Sequence, residues 1–207
     1  MRLRNLKNKE EIIENSEYVI KNPTEYKGKM NSLFKNDNEI HIEIGMGKGK
    51  FIVENAKKNP NINYIGIEKQ DNILARSVKN IESGLPNLKI LRLNALDIDE
   101  VFSKEVSRIY LNFSDPWPKS RHHDRRLTSK IFLEKYEKIF KDKKSIYLRT
   151  DNEELFIYSL ESLSRAGYNF KDITFNLHKD FDNVITSEYE DKFVELGLQI
   201  YALKAFK

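Results

Sequence analysis

Two hydrophobic rhythms alternate along the chain. Short apolar runs of β type lie at residues 40–44, 62–67, 88–93, 108–113 and 145–149. Between them, near 49–58, 70–82, 127–140 and 152–165, apolar residues return every three or four positions, as on one face of a helix. Residues 97–102 make a connection of one short helix or turn. Strands and helices in alternation predict a parallel sheet covered on both faces. Past Gly167 the rhythm changes. Residues 168–177 and 198–206 read as strands separated by a polar segment and a short helical turn, close enough in sequence to pair antiparallel. The expected architecture is α/β and Rossmann-like, a mostly parallel doubly wound sheet with an antiparallel C-terminal strand pair.

Residues 1–38 are polar, with an amphipathic stretch near 10–20 that Asn22-Pro23 breaks. They are expected to form an N-terminal extension packed on a single domain of residues 39–207. Four basic residues, Arg2, Arg4, Lys7 and Lys9, precede the first acid, Glu10. Such an opening suits a solvated tail or an arm that meets a polyanion.

Composition narrows the chemistry. Of 207 residues, 39% are hydrophobic, enough for a core, and a net charge of +4 mildly favours an anionic partner. The absence of cysteine excludes disulfides, thiolate nucleophiles and cysteine zinc sites. No apolar segment follows the charged start, and no run approaches the roughly 18 residues of a membrane helix. A soluble, cytoplasmic protein is expected.

The chemistry gathers where strands end. Glu43-Ile44-Gly45-Met46-Gly47-Lys48-Gly49 joins the first strand to a helix, and its glycines allow a sharp turn and close approach to a ligand. A dinucleotide fingerprint needs a small residue where Lys50 stands, and a P-loop needs Ser or Thr where Phe51 stands. The spacing instead resembles motif I of class I S-adenosylmethionine-dependent methyltransferases. In that reading Glu43, Gly45 and Gly47 line the cofactor. Glu68, about 20 residues on at the next strand tip, accepts its ribose hydroxyls, and Asn94 reads its adenine edge. Glu68 can also serve as a helix N-terminal acid, and Asn94 as a turn residue.

Asp115 and Asp151 follow the fourth and fifth strands. Asp151 competes with a capping role in Asp151-Asn152-Glu153-Glu154, and Ser187-Glu188-Tyr189-Glu190 has the form of a capping box. Gly45, Glu68, Asn94, Asp115 and Asp151 all fall at carboxyl ends of predicted strands, where open α/β sheets bind ligands.

In Asp115-Pro116-Trp117-Pro118-Lys119 two prolines end the strand and present a carboxylate and an indole at its tip. From Lys119 to Arg126, four cations face one acid, Asp124. Arginine forks suit phosphate oxygens, so this loop favours nucleic acid over a merely solvated face. A carboxylate, an indole and a cationic loop together suit an enzyme acting on a nitrogen atom of a polyanionic substrate. Trp117 can stack on a base or pack against the loop. His122 and His123 lack a third ligand, so no metal is expected. His41 and His178 read as structural, and Thr128 as the cap of the following helix.

Across nearly its whole length the chain resembles bacterial tRNA (guanine-N7-)-methyltransferases. The likeness rests on Met1-Arg2-Leu3-Arg4, Asn22-Pro23, Tyr26-Lys27-Gly28-Lys29, residues 41–49, 63–68 and 110–119, Arg125-Arg126-Leu127-Thr128 and Thr150-Asp151-Asn152. It implies a class I methyltransferase fold and transfer of a methyl group from S-adenosylmethionine to guanine N7 in the tRNA variable loop; a monomer or homodimer is expected. It implies that Glu43, Glu68, Asn94 and Asp115 contact the cofactor. Lys119, Asp151, Ser187, Glu188, Tyr189 and Glu190 would contact the target nucleoside, and Arg121, His122, His123, Asp124, Arg125 and Arg126 the RNA. Asparagine stands at 94 where the family often has an acid, and serine at 187 where it has threonine. Asp115 is the expected catalytic residue, a fixed carboxylate beside a purine that gains positive charge.

Overall fold

The computed structural model describes residues 6–207. The basic contacts expected of Arg2 and Arg4 lie outside the described residues. Seven strands form one sheet: β1 (Ile40–Ile44), β2 (Asn63–Glu68), β3 (Leu88–Arg92), β4 (Val106–Asn112), β5 (Phe140–Thr150), β6 (Asn169–Thr174) and β7 (Tyr201–Phe206), in the order β3-β2-β1-β4-β5-β7-β6. The first five are parallel. β7 runs antiparallel to both β5 and β6. Successive strands step outward from β1 to β3, and the chain then returns to β4 on the other side of β1. The place where the order reverses is therefore the crevice at the tips of β1 and β4.

Strands β1 and β2 are buried along their full length, as central parallel strands must be. Alternate residues serve opposite faces. Ile40, Ile42 and Ile44 join a cluster with α4 (Ile98–Val101), α5 (Lys130–Ile139) and α6 (Glu153–Arg165). Tyr64, Ile90 and Tyr110 pack instead with α1 (Lys9–Glu14), α2 (Lys50–Lys58) and α3 (Asp71–Asn80). His41 lies buried edge-on to Tyr64 and Tyr110, and its pKa is pulled down to about 3 by burial and then by Arg108. It is structural, as the sequence suggested.

Residues 18–20 run beside β3: Ile90 N donates to the Tyr18 carbonyl at 2.8 Å, and Ile20 N to the Ile90 carbonyl at 2.9 Å. They cover a sheet edge that would otherwise expose unpaired backbone.

Several boundaries differ from expectation, among them the start of β7, at Tyr201 rather than 198. β5 begins at Phe140 rather than 145, because its register against β4 shifts and the bulge absorbs the charged run 141–144. β6 ends at Thr174 rather than 177: the Thr174 hydroxyl accepts from Asn176 N at 3.0 Å and turns the chain into α7 (Leu177–Asp180). α5 starts at Lys130 with Ser129 before it, while the Thr128 hydroxyl is buried 2.8 Å from Ser159 on α6 and caps nothing. Beyond α7 lies α8 (Glu188–Glu195), longer than the single turn expected there. Among the described residues no helix is long and apolar enough to cross a membrane.

Candidate active site

The turn after β1 is shaped by backbone conformation. Gly45 and Gly47 have φ of 79° and 59°, and a Cβ on either would meet nothing within 4 Å. Their side-chain positions thus open toward empty space. Glu68, 7% exposed at the tip of β2, accepts from Gly47 N at 3.3 Å and from Gln70 N at 2.9 Å. Burial raises its pKa, against the pull of those amides. Each oxygen keeps a lone pair for a further donor.

Glu43 is 2% exposed. Asn112 Nδ2 donates to its Oε1 at 2.8 Å, and its Oε2 has no partner. Burial pushes its pKa up to about 8, opposed by Asn112 and Arg149. A ligand that donates to this buried carboxyl oxygen would satisfy it.

Two cavities meet at Gly45 and Phe113. One, about 640 Å³, is lined by Gly45, Glu68, Asn94, Asp115, Trp117 and Arg125, among others. The other, about 270 Å³, is lined by Glu43, Gly47, Ser187, Glu188 and Tyr189. A third depression of about 660 Å³, among Lys29, Lys35, Glu105 and Lys141, holds none of the expected residues.

The expected residues are used unequally. Asn94 accepts from Leu96 N at 3.2 Å through Oδ1, so its NH₂ is the group left for a ligand. Asp115 is exposed on the crevice wall, and among the described residues nothing bonds it. Asn152 Oδ1, not Asp151, caps α6 by accepting from Leu155 N at 2.8 Å. Asp151 is thereby released from the competing role. It lies near Tyr189, whose hydroxyl pKa is raised by burial and then by the Asp151 charge.

Ser187 and Glu190 form a full capping box on α8. Glu190 is fully buried, 2.8 Å from His178 Nε2 and 3.2 Å from Arg149 Nη1. Its carboxylate is bonded inside the protein and lines neither cavity. Glu188 and Tyr189 do line the smaller cavity.

In the basic loop, Lys119 and Arg121 are exposed. Trp117 lines the larger cavity, with His122 edge-on at 5.8 Å and the Arg125 guanidinium 4.9 Å from its ring centre. His123 turns to α6, edge-on to Tyr158 at 5.6 Å. Asp124 joins Arg125 on the wall of the larger cavity. Arg126, unlike its neighbours in the loop, is 1% exposed and donates to the carbonyls of Pro116 and Trp117 and to Glu154.

Two residues outside the sequence expectation also shape the site. Lys50 Nζ donates to Thr186 Oγ1 at 2.9 Å and to Asp191 at 2.5 Å, binding the glycine turn to α8. Arg149 donates to the Ile185 carbonyl at 2.6 Å. Nothing near Lys50 in sequence announces this, since its partners lie 136 and 141 residues away.

A doubly wound sheet with an acid-lined crevice at its switch point defines a Rossmann-like ligand-binding protein. Solved structures agree on the fold. The chain is similar to "Structure of an Antibiotic Related Methyltransferase" (TM-score 0.64, 20% identity, 87% of this chain and 92% of that one). It is also similar to the 16S rRNA methyltransferase KamB (TM-score 0.65, 14% identity, 86% and 92%). A family model described as "Putative methyltransferase" matches residues 37–203. A tRNA (guanine-N(7)-)-methyltransferase of Geobacillus sp. (strain WCH70) is 53% identical over 97% of this chain and 93% of its own length. Another with that name, from Lachnoclostridium phytofermentans, is 47% identical over 100% and 99%. The chain belongs to the tRNA (guanine-N7-)-methyltransferase family.

Proposed function

We propose that this chain transfers the methyl group of S-adenosylmethionine to N7 of a guanosine in tRNA. The observation that carries the reading is the junction at Gly45 and Phe113. There a cavity walled by Glu68, Asn94, Asp115 and Arg125 shares wall residues with one walled by Glu43 and Tyr189.

The residues fit this cofactor. Glu43 Oε2, buried and unpartnered, suits the ammonium of the methionine part. Glu68 has lone pairs for two ribose hydroxyls, and Asn94 offers its NH₂ to adenine. Gly45 and Gly47 leave room for close approach. When bound, S-adenosylmethionine supplies a methyl group made electrophilic by its sulfonium sulfur.

Guanine N7 carries a lone pair and no proton at neutral pH, so the chain needs no general base. Its work is placement, which can remove about 7–11 kcal/mol of a barrier. Asp151 and Tyr189 hold the purine from the β5 side, and Lys119 and Arg121 take phosphates. Asp115 stands free to stabilise the charge that develops on the ring. Residues 1–38 act as an extension on a methyltransferase domain of 39–207, in the cytoplasm, without a metal and as a monomer or homodimer.

The family resemblance suggests the variable loop as the target. Incubating the protein with tRNA and labelled donor should label N7-methylguanosine. Placing 7-deazaguanosine at the target position should abolish labelling; undiminished labelling of that RNA would overturn the assignment to N7.

A further inference from the structure

The loop that carries Asp115 is strained. Phe113 and Trp117 have φ of 51° and 42°, in the left-handed region that bulky side chains avoid. Such conformations persist only where the surroundings over-determine them. Phe113 N donates to the Arg149 carbonyl at 2.9 Å, and one side chain holds the two carbonyls that follow Asp115. Arg126 Nε donates to the Pro116 carbonyl at 2.8 Å and Nη2 to the Trp117 carbonyl at 3.3 Å. The same guanidinium bonds Glu154 at 2.5 Å, in the first turn of α6, and lies 4.5 Å from the Tyr158 ring centre. Asp115 precedes the bonded carbonyls, and Asp151 stands two residues before α6.

We infer that Arg126 is a positioning residue that fixes the Asp115 carboxylate by tying the loop after β4 to the first turn of α6, which follows β5. The inference rests on the proposed methyl transfer for its kinetic meaning. Only a planar fork reaches two loop carbonyls and a carboxylate at once; a lysine keeps the charge and loses the geometry. The residue sits within a basic run, yet its charge is spent internally. It should therefore govern turnover and leave the RNA contact unchanged.

The chain holds a single tryptophan, Trp117, so intrinsic fluorescence reports this loop without substrate. Arg126→Lys should raise acrylamide quenching of Trp117 and cut single-turnover methyl transfer on the order of 100-fold, the cost of about 1 Å of misplacement. The slope of tRNA affinity against salt should stay at its wild-type value. Glu154→Gln removes the charge of the half-exposed partner, keeps an acceptor oxygen and leaves the buried core untouched. It should move fluorescence and rate the same way by a smaller factor, and the two changes should be non-additive in the double variant. A wild-type spectrum and rate in Arg126→Lys would overturn the inference, as would a salt slope lowered by about one phosphate contact. If Arg126→Lys does not fold, a Glu154→Gln protein with wild-type fluorescence and rate overturns it alone. Failure of the functional reading is seen separately, as a wild-type protein that transfers no methyl group to tRNA.

Discussion

Asn112 on β4 reaches across to Glu43 on β1 and satisfies one of its two carboxyl oxygens, at 2.8 Å, leaving the other bare. The acid is held neutral by burial, with its pKa pushed up to about 8 from an ordinary 4.5. A raised carboxyl pKa means that the folded state binds the proton more tightly than the unfolded chain. Its stabilising effect is full below pH 4.5 and is lost as pH rises through about 8. Glu43→Gln keeps the bond from Asn112 and cannot ionise. Thermal melts across this range should show the variant gaining on the wild type as pH rises, and melting above it beyond pH 8. Parallel curves would refute the buried neutral acid.

The same proton should report cofactor binding. An ammonium placed at Glu43 Oε2 favours the carboxylate and expels the proton. Calorimetry near neutral pH, in buffers of different ionisation enthalpy, should show proton release when S-adenosylmethionine binds, approaching one per site. Glu43→Gln should abolish the release and weaken binding. Equal release from both proteins would place the ammonium elsewhere.

Asp115 offers a cleaner kinetic test, because it bonds nothing within the described protein. Asp115→Asn should leave the melting temperature within about 1–2 °C, as exposed substitutions usually do. Single-turnover transfer should fall by 100-fold or more, in the range seen when a group stabilising developing charge is removed. Near-normal turnover would remove it from the proposed role.

How legible was this site before the structure? Gly45, Glu68, Asn94 and Asp115 could be placed because each follows an apolar run, and strand tips in a doubly wound sheet converge. The glycine spacing and the Asp115–Lys119 stretch carried the family resemblance. What escaped was pairing at a distance. Arg126 reads as one more cation in a basic loop until α6 packs over it, and Glu190 looks like any acid of a capping box until Arg149 and His178 close on it. Burial of a charge depends on the elements that arrive from elsewhere in the chain. The charged run 141–144 hid the start of β5 for a related reason, since a bulge lets side chains break the strand rhythm while the pairing continues.

Lys50 should couple the cofactor turn to the nucleoside segment. Its ion pair with Asp191 is more than one-third exposed on both sides, so water screens it and its energy is that of a surface pair, about 0.2–1 kcal/mol. Lys50→Met should raise KM for tRNA by no more than about fivefold, with little change in the protein's melting temperature. Asp191→Asn should do the same, and the double variant should add little. Fully additive effects would show that the pair does not act as a unit.

The exposed half of the basic loop should account for the salt dependence of RNA binding. Lys119 and Arg121 are exposed, with no partner among the described residues, so a phosphate can take either charge without breaking a bond inside the protein. Each phosphate neutralised on a single strand contributes about 0.7 to the slope of log affinity against log salt, and on a duplex about 0.9. Lys119→Ala and Arg121→Ala should each flatten the slope by that amount, and together by about twice it. Arg125→Ala should flatten it too, but it also frees Trp117 from the guanidinium 4.9 Å from its ring centre, so its fluorescence should change as well. Filter binding of tRNA over a range of potassium chloride separates these outcomes. A slope unaltered by removing both Lys119 and Arg121 would mean that the RNA backbone runs elsewhere on the molecule.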